Sequence, residues 1–267
     1  MFYLDLIFNT LPRLAVTLGS SIFGAMNLYV RIAFFLFFKK IHKDNTPWLF
    51  SGVYEGKIFS MHLFEGSPDI AALKEIFLDG EYDWKEMQDP QIIIDLGAHT
   101  GNTALYFHLK YPNALIYAVE ASPKTYERLL KNVKNIAHIK PVFGAVSDSD
   151  GELTFYESES SLGSSLIERS GSKGVQVPCF TIATLFKNIG VARADLIKID
   201  IEGAEERIFS DGMLPHAFSR SYMIEVHEDL MSEKNFVEKY FSSFCTTTRK
   251  LEFPSRYLLY AVKENNI

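Results

Sequence analysis

Cysteine is nearly absent: Cys179 and Cys245 are the only two in 267 residues, far apart and outside any Cys-x-x-Cys pair. That excludes a disulfide framework and a structural zinc site, and it leaves two free thiols, as expected of a reducing compartment. The triplet Asn-x-Ser/Thr does not occur either, so this sequence offers no N-glycosylation acceptor. Positive charge is scarce. The net charge is −6, and no basic stripe interleaved with aromatics marks a nucleic-acid surface. Gly-x-Gly-x-x-Gly is missing, which removes the dinucleotide fingerprint, and there are no internal repeats. What is present is the balance of a globular protein, 47% hydrophobic and 22% charged. Its length suits one catalytic domain with a modest extension.

Residues 1–43 differ from the rest. They hold five basic residues (Arg13, Arg31, Lys39, Lys40, Lys43) against one acid, Asp5, and from Leu14 to Phe38 the only formal charge is Arg31. Asn9, Arg13, Thr17, Ser20, Gly24, Asn27 and Arg31 recur at steps of three or four, which on a helix makes one narrow polar stripe on an apolar cylinder. Residues 14–38 are long enough to span a bilayer. The same stripe suits a helix lying in the membrane plane, or an arm packed on the domain or on a second subunit of a homo-oligomer. A cleavable signal peptide fits poorly, because the apolar stretch is too long and no small-residue cleavage site follows it. Were the arm to span, Lys39, Lys40 and Lys43 would place its carboxyl end, and the catalytic domain, in the cytoplasm.

Residues 44–90 read as a linker or lid, with turn signals at Asn45-Thr46-Pro47, Gly66-Ser67-Pro68 and Asp79-Gly80. Val53–Leu63 has strand character and Pro68–Leu78 that of a short helix. The third segment, 91–267, alternates strand and helix, the pattern of a parallel sheet covered on both faces. Its expected core strands are Ile92–Leu96, Ala114–Glu120, Ile139–Val146, Ala194–Ile201 and Tyr222–Val226. Expected helices are Asn102–Tyr111, Pro123–Asn135, Ile182–Gly190 and Ala204–Ser210, with another beginning near Glu228. Glu152–Tyr156 and Val175–Phe180 read as added strands around a serine- and glycine-rich loop, 158–173, and Cys245–Phe253 with Arg256–Val262 reads as a closing antiparallel pair.

The chemistry concentrates at strand ends. Gln91-Ile-Ile-Ile-Asp95-Leu-Gly97-Ala98-His99-Thr100-Gly101 is an apolar strand running into a glycine turn and a helix. Glycines at such a junction let a ligand approach the backbone above a helix N-terminus. Glu120 ends the next strand, where an acid can accept hydrogen bonds from both hydroxyls of a ribose. In Asp195-Leu-Ile-Lys198-Ile-Asp200-Ile-Glu202-Gly-Ala-Glu205, the residues Lys198, Asp200 and Glu202 alternate with apolar ones and share one side. A lysine within a core strand needs a carboxylate partner, with Asp200 and Glu225 as candidates. Asp200 and Glu202 lie at the carboxyl end of that strand, and Tyr222-Met-Ile-Glu225-Val-His227 repeats the arrangement on the next, with Glu225 and His227 on one side, so four ionisable groups converge on one rim. Asp200, Glu202 and His227 are also residue types that hold divalent ions, although no metal ligand set is assigned.

These runs, in order and over about residues 90–230, resemble the FkbM family of S-adenosylmethionine-dependent methyltransferases; Lys-x-Asp-x-Glu-Gly-x-Glu is the most specific part. The resemblance implies an α/β class I methyltransferase fold of the Rossmann-like kind, with a seven-stranded, mostly parallel sheet and an antiparallel C-terminal strand. The N-terminal arm lies outside the resemblance. Family members methylate hydroxyl oxygens, often of sugars or polyketides, so the implied acceptor is a small molecule, glycan or lipid. By motif position Asp95, Gly97, Ala98 and Gly101 would line the methionine side of the cofactor, Glu120 the ribose, and Ala145 and Val146 the adenine. A hydroxyl acceptor benefits from a general base, for which His227 or Glu202 are the candidates, with Asp200 orienting it or binding the acceptor. Ser164 and Ser165 would sit on a loop over the acceptor. Two other readings stay open at this point: a non-catalytic membrane-tethered module that keeps the fold, and an oxidoreductase using another nucleotide cofactor.

Overall fold

The computed structural model describes residues 47–64, 69–157, 173–201, 205–209, 217–227, 232–251 and 256–263. The N-terminal arm and Glu202, with Ser164 and Ser165, lie outside them. The chain divides into two compact units, one through Trp84 and one from Lys85.

In the first unit, β1 (Trp48–Tyr54) and β2 (Lys57–Leu63) form an antiparallel hairpin. The expected single strand from Val53 is therefore two strands. Glu55 and Gly56 both take positive φ, 47° and 76°, as the primed two-residue hairpin turn requires. Glu-Gly is a weak signal for that turn, which is why the sequence alone did not show it. Helix α1 (Asp69–Leu73) continues into a π-helical turn, Lys74–Leu78, and the Phe77 ring stacks on Phe59 at 5.3 Å.

The second unit is built on a seven-stranded sheet. Its strands are β3 (Ile92–Leu96), β4 (Leu115–Glu120), β5 (Ile139–Phe143), β9 (Ala194–Ile199), β10 (Ser219–His227), β11 (Cys245–Lys250) and β12 (Arg256–Val262). They lie in the order β11-β12-β10-β9-β3-β4-β5. β10, β9, β3, β4 and β5 pair in parallel, and only β12 runs against its neighbours. Helices α2 (Asn102–Lys110), α3 (Pro123–Val133), α4 (Ile182–Ile189) and α5 (Glu233–Tyr240) belong to this unit. α3 and α4 begin at Ser122 and Thr181, whose hydroxyls accept from the backbone N–H three residues on, as N-caps do.

The central strands read as unbroken apolar runs because both of their faces are covered. Ile93, Ile94, Leu196, Ile197, Ile224 and Leu259 are wholly buried, each such side chain contributing about 1.5–3 kcal/mol of transfer free energy. Strand order reverses between β3 and β9: the chain moves outward through β4 and β5, then returns to the other side of β3. Ligands of such sheets bind at the carboxyl ends beside that reversal.

Two expectations need correction. The third core strand does not run to Val146; it stops at Phe143. Gly144, at φ 143°, carries the chain into β6 (Ala145–Val146), which pairs with β8 (Lys173–Phe180) and not with β4. β7 (Gly151–Glu157) completes that small sheet. A Cβ on Gly144 would come within 2.6 Å of the Phe180 ring, so the break depends on packing across the second sheet. The helix expected to begin near Glu228 is described from Glu233, as α5; its few apolar residues, Phe236 and Val237 with Tyr240, make a short stripe that marks its start poorly.

Candidate active site

At the carboxyl end of β3 the glycine turn is fixed by peptide groups. The N–H groups of Gly97 and Ala98 both donate to the Val119 carbonyl, at 3.1 and 2.9 Å. Gly97 has φ 80° and Gly101 φ 94°. A Cβ on Gly97 would overlap the Asp200 carbonyl, and one on Gly101 would lie 2.9 Å from Leu129 Cδ1. Both glycines are thus demanded by the chain's own packing and by left-handed backbone, in addition to any demand from a ligand. His99 also sits at positive φ, 51°, in a region that histidine tolerates better than most residues. Its expected role as a turn residue fits this geometry.

That turn delivers an amide to Glu120. The His99 N–H donates to Glu120 Oε2 at 2.9 Å, and the Ser122 N–H donates to Oε1 at 2.8 Å. Burial pushes the Glu120 carboxyl up to about 7, against the opposing pull of these two amides. Each carboxylate oxygen keeps a further lone pair for a ligand hydroxyl. At the start of α2, Asn102 Nδ2 is buried without a hydrogen-bond partner in the structure, while its Oδ1 accepts from the Thr100 hydroxyl at 3.4 Å. Ala98 is buried within the same turn, and Ala145 and Val146 are buried one strand further on.

Asp95 faces Lys198. The two residues are register partners on adjacent parallel strands, and Lys198 Nζ lies 3.2 Å from Asp95 Oδ1, with the side chains 1% and 0% exposed. Nζ also donates to the Gly97 carbonyl at 2.9 Å and lies 3.6 Å from Asp200 Oδ2. The ammonium's three protons thus have three acceptors within reach. Burial opposes its charge, but Asp95 and Asp200 outweigh burial and hold the lysine above its ordinary range. Burial raises the Asp95 carboxyl, and the ammonium opposes that. The partners expected from sequence were Asp200 or Glu225. The nearer carboxylate is Asp95, which lies 103 positions away and becomes a neighbour only when β3 pairs with β9.

His227, the last residue of β10, anchors the other side. Its Nδ1 lies 3.0 Å from Glu205 Oε1, and its Nε2 lies 3.7 Å from Glu225 Oε1. Glu225 in turn accepts from Arg256 Nη1 at 2.9 Å. Burial disfavours the imidazolium, yet Glu205, with Asp200 and Glu225 behind it, outweighs burial and pushes the pKa up to about 9. The ligand atoms of Asp200, Glu225 and His227 lie within 4.8 Å of one another. Positive charge already reaches those acids from Lys198 and Arg256, so no ion is assigned. The rim brings together Asp200, Glu225 and His227, with Lys198 beside Asp200, while Glu202 lies outside the described residues; it adds Glu205 and Arg256, which were not singled out. Glu205 stands inside the most specific motif, so its position carried a signal. Arg256 reaches the site only because β12 pairs with β10, placing it opposite His227.

The sequence is similar to known methyltransferases. A family model described as the Methyltransferase FkbM domain matches residues 95–251. "Methyltransferase sdnD" of Sordaria araneosa is 28% identical over 166 residues, covering 49% of this chain and 64% of that protein. "Methyltransferase 1" of Beauveria bassiana is 27% identical over 155 residues, covering 49% and 62%. The matches thus span less than two thirds of the length of these two relatives. "31-O-demethyl-FK506 methyltransferase FkbM" of Streptomyces tacrolimicus is 24% identical over 192 residues, covering 58% of this chain and 73% of that protein. Among solved structures, Aeropyrum pernix fibrillarin in complex with S-adenosyl-L-methionine aligns with a TM-score of 0.46 at 16% identity, over 81% of this chain and 82% of that one. With its family model spanning more than half of the sequence, from Asp95 to Leu251, the chain belongs to the FkbM methyltransferase domain family.

Proposed function

We propose that the protein is an S-adenosylmethionine-dependent methyltransferase that methylates a hydroxyl of a sugar, glycolipid or secondary metabolite. The observation that carries this reading is Glu120. It is a buried carboxylate at the end of β4, held by two backbone amides from either side, with lone pairs left for a vicinal diol. The residues fit such a cofactor in a second respect, since Asn102 Nδ2 is a buried donor with no partner of its own.

When bound, the cofactor supplies a methyl group already activated on a sulfonium, so the protein's work is alignment and exclusion of water. Asp95, Gly97, Ala98 and Gly101 form the methionine side, and the Lys198 strut keeps the turn's carbonyl in place. Glu120 accepts from the ribose hydroxyls. Ala145 and Val146, displaced into β6 but still following the end of β5, provide the adenine side. On the opposite rim the neutral form of His227, populated as pH rises toward about 9, takes the acceptor proton, with Asp200 orienting the acceptor. Glu202 is the alternative base. Ser164 and Ser165, outside the described residues, are assigned to the acceptor side from their place in the sequence.

Isothermal titration with S-adenosylmethionine tests this reading. Micromolar-range binding is expected, weakened at least tenfold in Glu120→Ala, because a hydrogen bond to a charged group contributes about 1.5–3 kcal/mol. No heat with this cofactor, alongside clear binding of a nicotinamide dinucleotide, would replace the reading with an oxidoreductase. Binding without transfer of labelled methyl to any glycan or lipid extract would favour a non-catalytic module.

A further inference from the structure

His227 has two ring nitrogens, and the structure treats them differently. Nδ1 faces Glu205 Oε1 at 3.0 Å, with His227 10% and Glu205 6% exposed. A carboxylate can only accept a hydrogen bond, so Nδ1 carries the proton of this pair. Nε2 then points the other way, toward Glu225 on its own strand and into the group it forms with Asp200.

Glu205 is well anchored for such a role. It opens a 3-10 turn, Glu205–Phe209, whose Ile208 and Phe209 are buried in the main core. The Phe209 ring packs against Tyr222, Phe236, Tyr240 and Phe241 with centroids 5.4 to 6.1 Å away. The carboxylate therefore projects from a turn whose backbone is pinned on the far side. A side chain held this way fixes a partner's orientation at little further entropic cost.

We propose that Glu205 is the positioning residue of the acceptor rim. It fixes the His227 tautomer with the proton on Nδ1 and so makes Nε2 the basic nitrogen presented to the acceptor hydroxyl. In the step this serves, the acceptor O–H bond breaks, its proton passes to Nε2, and the electron pair stays on oxygen. The proposal rests on the methyltransferase reading for its use but not for its test. Among the described residues, Glu205 from the 3-10 turn, Asp200 after β9 and Glu225 from β10 face the imidazole. Lys198 stands on Asp200, and Arg256 of β12 stands on Glu225. Both acids behind Nε2 thus already have cationic partners, while Glu205 acts on Nδ1 directly.

Nitrogen-15 NMR of the full-length protein labelled at histidine reads this without any acceptor, with the His227 signal assigned by its loss in His227→Gln. In wild type, the neutral form is expected to carry its proton on Nδ1, against the usual preference for Nε2. In Glu205→Gln the midpoint of titration should fall by about one unit or more, since a charge-assisted partner at this distance is lost. Glu205→Asp should recover part of that shift. S-adenosylmethionine should bind Glu205→Gln within about twofold of wild type, because Glu205 lies off the cofactor rim. A wild-type neutral form protonated on Nε2 would overturn the proposal, and that measurement needs no variant to fold. So would an unchanged midpoint in Glu205→Gln. Failure of wild type to bind the cofactor would instead strike the methyltransferase reading and leave the tautomer result standing.

Discussion

Around Glu120, at the end of β4, the rim is held by peptide groups: two amides on the carboxylate, two amides on the Val119 carbonyl, and two glycines at left-handed φ. Around His227, at the end of β10, it is held by side-chain charge: Glu205, Asp200, Glu225, Lys198 and Arg256, drawn from β9, β10, β12 and a 3-10 turn. In the first rim the glycine turn has no charge to lose with pH, and its titrating group is Glu120, raised to about 7. The second rim, built of charges, responds to pH and to single substitutions. Lys198 joins the two, because its ammonium contacts the Gly97 carbonyl on one side and Asp200 on the other.

The largest effect should come from breaking that joint. Lys198→Met leaves Asp95 wholly buried beside no cation, and removing one partner of a buried pair costs about 3–5 kcal/mol. Urea denaturation should show that loss, together with weakened cofactor binding; a loss below ~1 kcal/mol would mean that the two rims stand independently. Next comes pH. His227 is raised to about 9 in the folded state from 6.5, so its contribution is fully present below pH 6.5 and is lost as pH rises through 9. The stability involved is on the order of 3 kcal/mol. Denaturation midpoints measured from pH 6 to 10 should therefore fall in wild type and stay flatter in His227→Gln. Glu120, raised to about 7, makes its own contribution below the ordinary carboxyl range and loses it by pH 7, so the two windows separate.

Gly97→Ala should cost about 1–3 kcal/mol, because the added methyl meets the Asp200 backbone and not a flexible side chain. Calorimetry with S-adenosylmethionine should show cofactor affinity falling with it. The smallest effect is Ser122→Ala. It removes the N-cap hydroxyl of α3 and the bond to Glu157, for about 1 kcal/mol. It keeps the Ser122 N–H on Glu120, so cofactor affinity should hold. An affinity loss equal to that of Glu120→Ala would show that the rim depends on side chains after all.

Much of the rim around Glu120 was legible in the sequence because its parts are short-range. Asp95 to Gly101 is one contiguous turn, and Glu120 ends the strand after it. The helix caps at Ser122 and Thr181 are equally local. Legibility dropped where a contact depended on strand order. Lys198 was seen to need a carboxylate, but Asp95 was not named as its partner, since nothing in the chain's order says that β9 lies beside β3. Arg256 was read only as part of a closing strand. Ala145 and Val146 were assigned to the core sheet because their β-branched and apolar surroundings continue the pattern of β5. The break at Gly144 answers to Phe180, 36 positions away.

The sequence by itself determined the family, the alternation of elements and the residues from which the two rims are made. Periodicity, turn chemistry and motif are all local quantities, and they act within a few residues. Tertiary structure alone decided which of those residues meet: Asp95 with Lys198, Glu205 with His227, Arg256 with Glu225. Ion pairs and hydrogen bonds act over a few ångströms of space, and only the folding of the sheet turns separation along the chain into that proximity.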